Sequence, residues 1–165
     1  MSTIVYDDLE KFEAFLVGKG LESALDAHKS AGLPEEKIRE IYFRFVKTLV
    51  AVGGSAGADR PVGMPWELVA IDNPYTSGGD VRVGLLKSGR VVAGAPIYVF
   101  RKAADGSVEK INLVTDDSGR VTVPGGPGEY MVNAVGISRP SEQLAERTEA
   151  HWQTVWASLT YEIAQ

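Results

Sequence analysis

Two histidines, His28 and His151, are the only imidazoles in the chain, and there is no cysteine. Thiolate nucleophiles, disulfides and cysteine metal sites are therefore excluded. Stable zinc or nickel binding takes about three or four ligands within one small volume. The two histidines lie far apart in sequence and neither an HxH nor an HxxxH spacing occurs. The best metal-ligating candidate is His151, with Glu149 beside it and Glu146 nearby, and the cation it would take is divalent. His28 falls on the apolar side of a short helical pattern, which fits a packed or interfacial histidine better than a ligand. Asp72, Asp80, Asp116 and Asp117 carry oxygens suited to a hard cation, but no EF-hand spacing surrounds them. Asp in such turn clusters is explained by bonds to its own backbone.

A serine hydrolase needs a nucleophile on a sharp elbow beside an oriented base, and no GxSxG occurs. The chain has 22 acidic residues, too many to single out a glycosidase pair. The expectation is a protein without catalytic residues. Trp66, Tyr75, Trp152 and Trp156 remain as candidates for ligand or partner binding, since aromatic faces stack on sugars and anchor interfaces. The competing reading is that they fill the gap between helices and sheet. A formal net charge of -5, with lysines and arginines scattered, argues against nucleic acid. No run approaches the roughly 20 apolar residues of a membrane span. The start, MSTIVYDDLEKF, lacks the basic and apolar regions of a signal peptide.

These residues must be positioned by two kinds of element. Asp7 and Asp8 can cap a helix carrying Leu9, Phe12, Phe15 and Leu16 on one face, stopped by Gly18 and Gly20. A second helix is expected from Leu21 to Ala31. A third is expected after Pro34, with Ile38, Ile41, Tyr42, Phe45, Val46 and Leu49 as an apolar stripe. This gives a helical lead over residues 1–52, a glycine-rich linker over 53–65 and a β domain over 66–165. In the last part, strands are expected near Trp66–Ile71, Val81–Leu86, Ala95–Arg101, Lys110–Thr115, Arg120–Val123, Tyr130–Val135 and Val155–Ile163, with a short helix capped by Ser141 before the final one. Turn-rich breaks between them point to an antiparallel two-sheet sandwich of about seven strands. Asp117 (or Asp116) can hold one turn, Gly119 can take a positive φ there, and Gly128 can open the strand carrying Tyr130.

The stretches AGAPIYVF (93–100), TDDSGRVTV (115–123) and GEYMV (128–132) resemble the transthyretin-like or carboxypeptidase-regulatory-like β-sandwich, a Greek-key fold. Over nearly the whole chain, YDDLEKFEAFLVGKGL, FVKTLVAVGG, PWELVAIDNPYTSG and HWQTVWASLTYEI resemble a bacterial domain family of unknown function. Its members are often described as the periplasmic component of cobalt or nickel transport systems. The resemblance implies an α+β protein with helices packed on or beside the sandwich. It further implies a periplasmic, non-catalytic binding or accessory role, with a membrane transporter component as partner. Members of that family usually carry a signal peptide and an N-terminal β region before the helices, whereas this chain is read as beginning at the helices. A sandwich without its first strands would leave an edge that a homodimer could cover.

Overall fold

In the computed structural model, residues 1–54 and 57–164 are described. The chain is mostly β, with ten strands and three helices among those residues. In order they are β1 (Ser2–Asp8), α1 (Leu9–Gly18), α2 (Ser23–Ser30), β2 (Glu36–Thr48), β3 (Trp66–Ala70), β4 (Val81–Lys87), β5 (Arg90–Val91), β6 (Pro96–Lys102), β7 (Val108–Val114), β8 (Arg120–Val123), β9 (Gly128–Ser138), α3 (Glu142–Thr148) and β10 (Trp152–Ile163). A six-stranded sheet has the order β1-β2-β10-β9-β6-β7, and a four-stranded sheet joins β3, β4 and β5, with β8 also paired to β4.

The pairs β1/β2, β6/β7, β6/β9, β3/β4, β4/β5 and β4/β8 are antiparallel. Between β2 and β10, His151 N–H donates to Arg39 C=O at one end and Leu49 N–H to Thr160 C=O at the other. Residue numbers rise together along both strands, so this pair runs parallel and the larger sheet is mixed.

The chain divides into two compact units, Met1–Arg44 with Val135–Trp156, and Phe45–Ala134 with Ala157–Gln165. In the first unit Asp8 caps α1 by accepting Lys11 N–H at 2.8 Å. Phe12 and Leu16 of α1 and Ala24, Leu25 and His28 of α2 are buried, as the apolar spacing requires. Two expectations fail here. The chain does not begin at the helices, because β1 precedes them and pairs with β2 from Ser2↔Tyr42 to Asp8↔Glu36. The third N-terminal helix is instead the long strand β2, and the third helix of the fold is α3, late in the chain and capped by Ser141. The physical reason lies in EKIREIYFRFVKT. Its β-branched and aromatic residues favour a pleated surface, and Ile38, Glu40 and Ile41 are all buried because both faces of the strand are covered there. Burial on both faces removes the alternation and leaves a false helical spacing.

In the second unit the period of two is clear. Val81, Val83 and Leu85 of β4, Ile97 and Val99 of β6, Val121 and Val123 of β8, and Val132 and Ala134 of β9 are buried, and residues between them lie nearer the surface. Each of these Val, Leu and Ile side chains contributes about 1.5–3 kcal/mol of burial. All five residues of β3 are buried. Residues 59–64 of the glycine-rich segment expected as a linker run beside it, and Ser55 and Ala56 of that segment lie outside the described residues. Glu67 accepts the N–H groups of Val62, Gly63 and Met64, and Asp59 accepts that of Ala70. Lys47 lies 3.0 Å from Asp59 and 2.9 Å from Glu67 and places its positive charge between the two carboxylates.

The turn before β8 is held by Asp116, not Asp117: its carboxylate accepts from Ser118 N–H and Oγ–H and from Arg120 N–H, each within 2.9 Å. Gly119 in that turn has φ +71°, as expected. Gly128 has φ +150°, and a Cβ there would lie 2.8 Å from the Lys102 carbonyl oxygen, so only glycine fits the start of β9.

Candidate functional site

In the second unit, the ends of β2, β6, β9 and β10 converge on an open groove of about 750 Å³. Its walls are mainly apolar and aromatic, with Leu49, Tyr75, Phe100, Tyr130, Met131 and Tyr161 among the lining residues. All but Tyr75, which comes from the loop between β3 and β4, lie at or near the end of a strand. Val50, Val108 and Met131, all lining the groove, are among the exposed large apolar residues of the chain. Lys102 and Glu129, 3.3 Å apart, and Glu162 give the rim its charge.

The three tyrosines differ in how their hydroxyls are used. Tyr75 donates to Leu49 C=O at 2.7 Å, tying the loop between β3 and β4 to the end of β2. Tyr130 donates to Gly126 C=O at 2.8 Å. The ring of Tyr161 stacks on Tyr130 at 5.0 Å between centroids, but its buried hydroxyl has no hydrogen-bond partner among the described residues. Burial raises the Tyr161 phenol well above its ordinary pKa, with Tyr130 adding to the shift, so the group is a neutral donor without an acceptor.

The first unit holds a polar network under its helices. His28 accepts the Trp152 indole N–H on Nδ1 at 3.0 Å, and its Nε2 is 3.0 Å from Pro34 C=O. That pair of bonds fixes the neutral tautomer with the proton on Nε2. Desolvation, opposed by the Pro34 bond, holds its pKa below the ordinary histidine value. His151 accepts Arg39 N–H on Nδ1 at 3.0 Å. Desolvation together with Arg139, His28 and Arg39 also keeps it neutral, so its proton sits on Nε2. Glu40 is buried and accepts from Tyr6 O–H at 2.7 Å and from Thr154 O–H, while Trp156 N–H donates to Thr154 Oγ1 at 3.1 Å. Desolvation raises the Glu40 carboxyl above the ordinary range despite these donors.

The residues singled out from sequence thus separate. His151 and Glu149 lie close in the chain, but Glu149 is ion-paired with Arg39 at 3.4 Å and the His151 lone pair is occupied by a backbone donor. No group of three or more His, Asp or Glu side chains suited to a metal occurs among the described residues. Trp152 and Trp66 are 3% and 5% exposed and belong to cores, whereas Trp156 is half-buried and Tyr75 lines the groove. Sequence reasoning missed Tyr130, Tyr161 and Glu40. The two tyrosines could have been found as aromatics at strand ends, and Glu40 as an acid inside an otherwise apolar strand.

The structure therefore defines a mostly β protein in which two helices join the first two strands of a mixed sheet and an aromatic groove lies at strand ends. The chain belongs to the family described as Domain of unknown function (DUF4198), whose model matches residues 4–138. A comparison with curated proteins gives no match. Among the described residues, no helix is long and apolar enough to cross a membrane.

Proposed function

We propose that this chain is a non-catalytic binding or accessory domain of the periplasm that takes a small, largely apolar ligand in the groove of the second unit. The observation that carries this reading is the groove itself. Its size falls within the roughly 300–1,000 Å³ of small-molecule sites, and its wall is mainly apolar and aromatic. The scaffold is a Greek-key sandwich of the transthyretin-like kind. Supporting this are the alternate burial in β4, β6, β8 and β9 and the Tyr130 hydroxyl bonded to a carbonyl four residues upstream, the tyrosine-corner arrangement of such folds.

A ligand that binds only the folded state raises the melting temperature by mass action. A thermal-shift screen of small apolar compounds should yield stabilisers of the wild type. Replacing the groove residue Met131 with Arg should abolish their effect. Equal stabilisation of the variant, or no stabiliser at all, overturns the assignment. In the nickel or cobalt uptake implied by the family resemblance, this domain acts as a partner of the transporter and His151 and Glu149 do not hold the ion. Excess Ni²⁺, Co²⁺ or Zn²⁺ should leave its melting unchanged, and a saturable shift lost in His151→Ala would reverse that assignment.

A further inference from the structure

The first unit carries a second arrangement, unrelated to the groove. Trp156 on β10 is half-buried, and its indole N–H is anchored on Thr154, which fixes the plane of the ring. The Arg44 guanidinium lies over two rings, 5.2 Å from the centroid of Tyr42 and 5.9 Å from that of Trp156. The Lys19 ammonium, just past α1, lies 5.3 Å from the Trp156 centroid. Residues from β2, from β10 and from the end of α1 thus gather two cations about one indole. Arg44 is exposed and forms no ion pair among the described residues.

A guanidinium lying over aromatic rings is restrained before any ligand arrives. With no ion pair on it among the described residues, its N–H groups are available as a fork for a carboxylate or sulfate. The protein as a whole is acidic, with a net charge of -5, so long-range attraction of nucleic acid or of an anionic bilayer is not available. An anion recognised here must be recognised locally, by contact. The half-buried indole and the Tyr42 ring add flat apolar surface beside the charge, and a pyranose presents C–H faces to such rings while its acidic substituent reaches the fork.

We propose that Arg44, Trp156, Tyr42 and Lys19 form a binding site for acidic oligosaccharides, with Arg44 taking the carboxylate or sulfate and the exposed parts of the Trp156 and Tyr42 rings packing against the sugar. The test is a tryptophan-fluorescence titration of the full chain with an oligogalacturonate and with a heparin-derived oligosaccharide, which separate carboxylate from sulfate. Trp66 and Trp152 are buried, so a change reports on Trp156. The expected result is a saturable change with at least one of the two sugars, weakened by added salt and reduced about tenfold or more in Arg44→Gln, the worth of a lost charge-assisted bond. Arg44→Lys, which keeps charge but not the fork, should recover only part. Arg44 is exposed, so unaltered circular dichroism and melting temperature are expected in both variants. No change with either sugar, equal binding by Arg44→Gln, or Arg44-dependent binding to phosphatidylglycerol vesicles but to neither sugar overturns the proposal.

Discussion

Replacing Glu67 with Ala probes the buried clamp that holds the glycine-rich segment on β3. The carboxylate accepts Val62 N–H at 2.7 Å, Gly63 and Met64 N–H at 3.1 Å each, and lies 2.9 Å from the Lys47 ammonium. The Glu67 and Lys47 side chains are only 2% and 11% exposed, so water does not screen the pair. Removing one partner of a buried ion pair costs about 3–5 kcal/mol. Lys47 keeps Asp59 at 3.0 Å and the Arg60 carbonyl at 3.1 Å, which puts Glu67→Ala at the lower end, about 3 kcal/mol. In a chain of this length that is roughly 6–12 °C in melting temperature. Lys47→Met should cost more, about 4–5 kcal/mol, because two nearly buried carboxylates then face each other without a cation. Urea denaturation measures the loss, and hydrogen exchange at the amides of residues 62–64 locates it. A loss below about 1 kcal/mol for Glu67→Ala, with those amides still protected, refutes the clamp as the element that orders the segment.

The two buried glutamates should respond to pH in opposite senses. Desolvation pushes Glu67 up, but Lys47 and the backbone amides outweigh it and hold its pKa below 4.5, so its contribution is complete above that value and is lost as pH falls through the lower folded one. Glu40 is raised above 4.5 by desolvation, so stability should decline as pH rises from 4.5 through its folded value, and Glu40→Gln should remove that decline in a series of urea midpoints against pH. Trp152→Ala should cost about 3–5 kcal/mol as a core deletion, and Trp156→Ala no more than about 1 kcal/mol, compared by urea denaturation. Gly128→Ala, strained in φ and set against a carbonyl, should cost about 1–3 kcal/mol by the same measurement. Asp116→Ala should lower the melting temperature, whereas Asp117→Ala should leave it unchanged.

What the sequence made legible follows from how each element meets water. Every strand expected after Trp66 is present, because β4, β6, β8 and the first part of β9 bury one face and turn the other outward, and turns such as TDDSG and PGGPGE carry the chemistry their backbones need. The α1 cap at Asp8 and the α3 cap at Ser141 were legible for the same local reason. β2 was not, because its middle is covered on both faces and Glu40, an acid at a buried position, breaks the apolar alternation that marks a strand. Nor was the role of residues 59–64. A segment of glycine and small residues reads as flexible unless its amides have an acceptor, and the acceptor, Glu67, reads by type as a surface residue.

The tryptophans of β10 show why the candidate sites were harder to see than the elements. A strand with period two puts Trp152, Thr154 and Trp156 on one face, and sequence alone assigns the two tryptophans one environment. Along β10 the buried positions are Trp152 and Thr154, then Ala157, Leu159 and Tyr161, so the phase of burial changes by one residue between 154 and 157. β9 changes in the same way, with Tyr130, Val132 and Ala134 buried and then Val135. Trp156 stands at the change of phase in β10, which is why it stays half-buried with Lys19 and Arg44 against it, while Trp152 is enclosed by Phe12 and His28. Tyr161 owes its burial to the second phase and its place on the groove to the end of the strand. Both candidate sites therefore depend on where the burial phase shifts and where the strand stops, and neither property belongs to any single residue type.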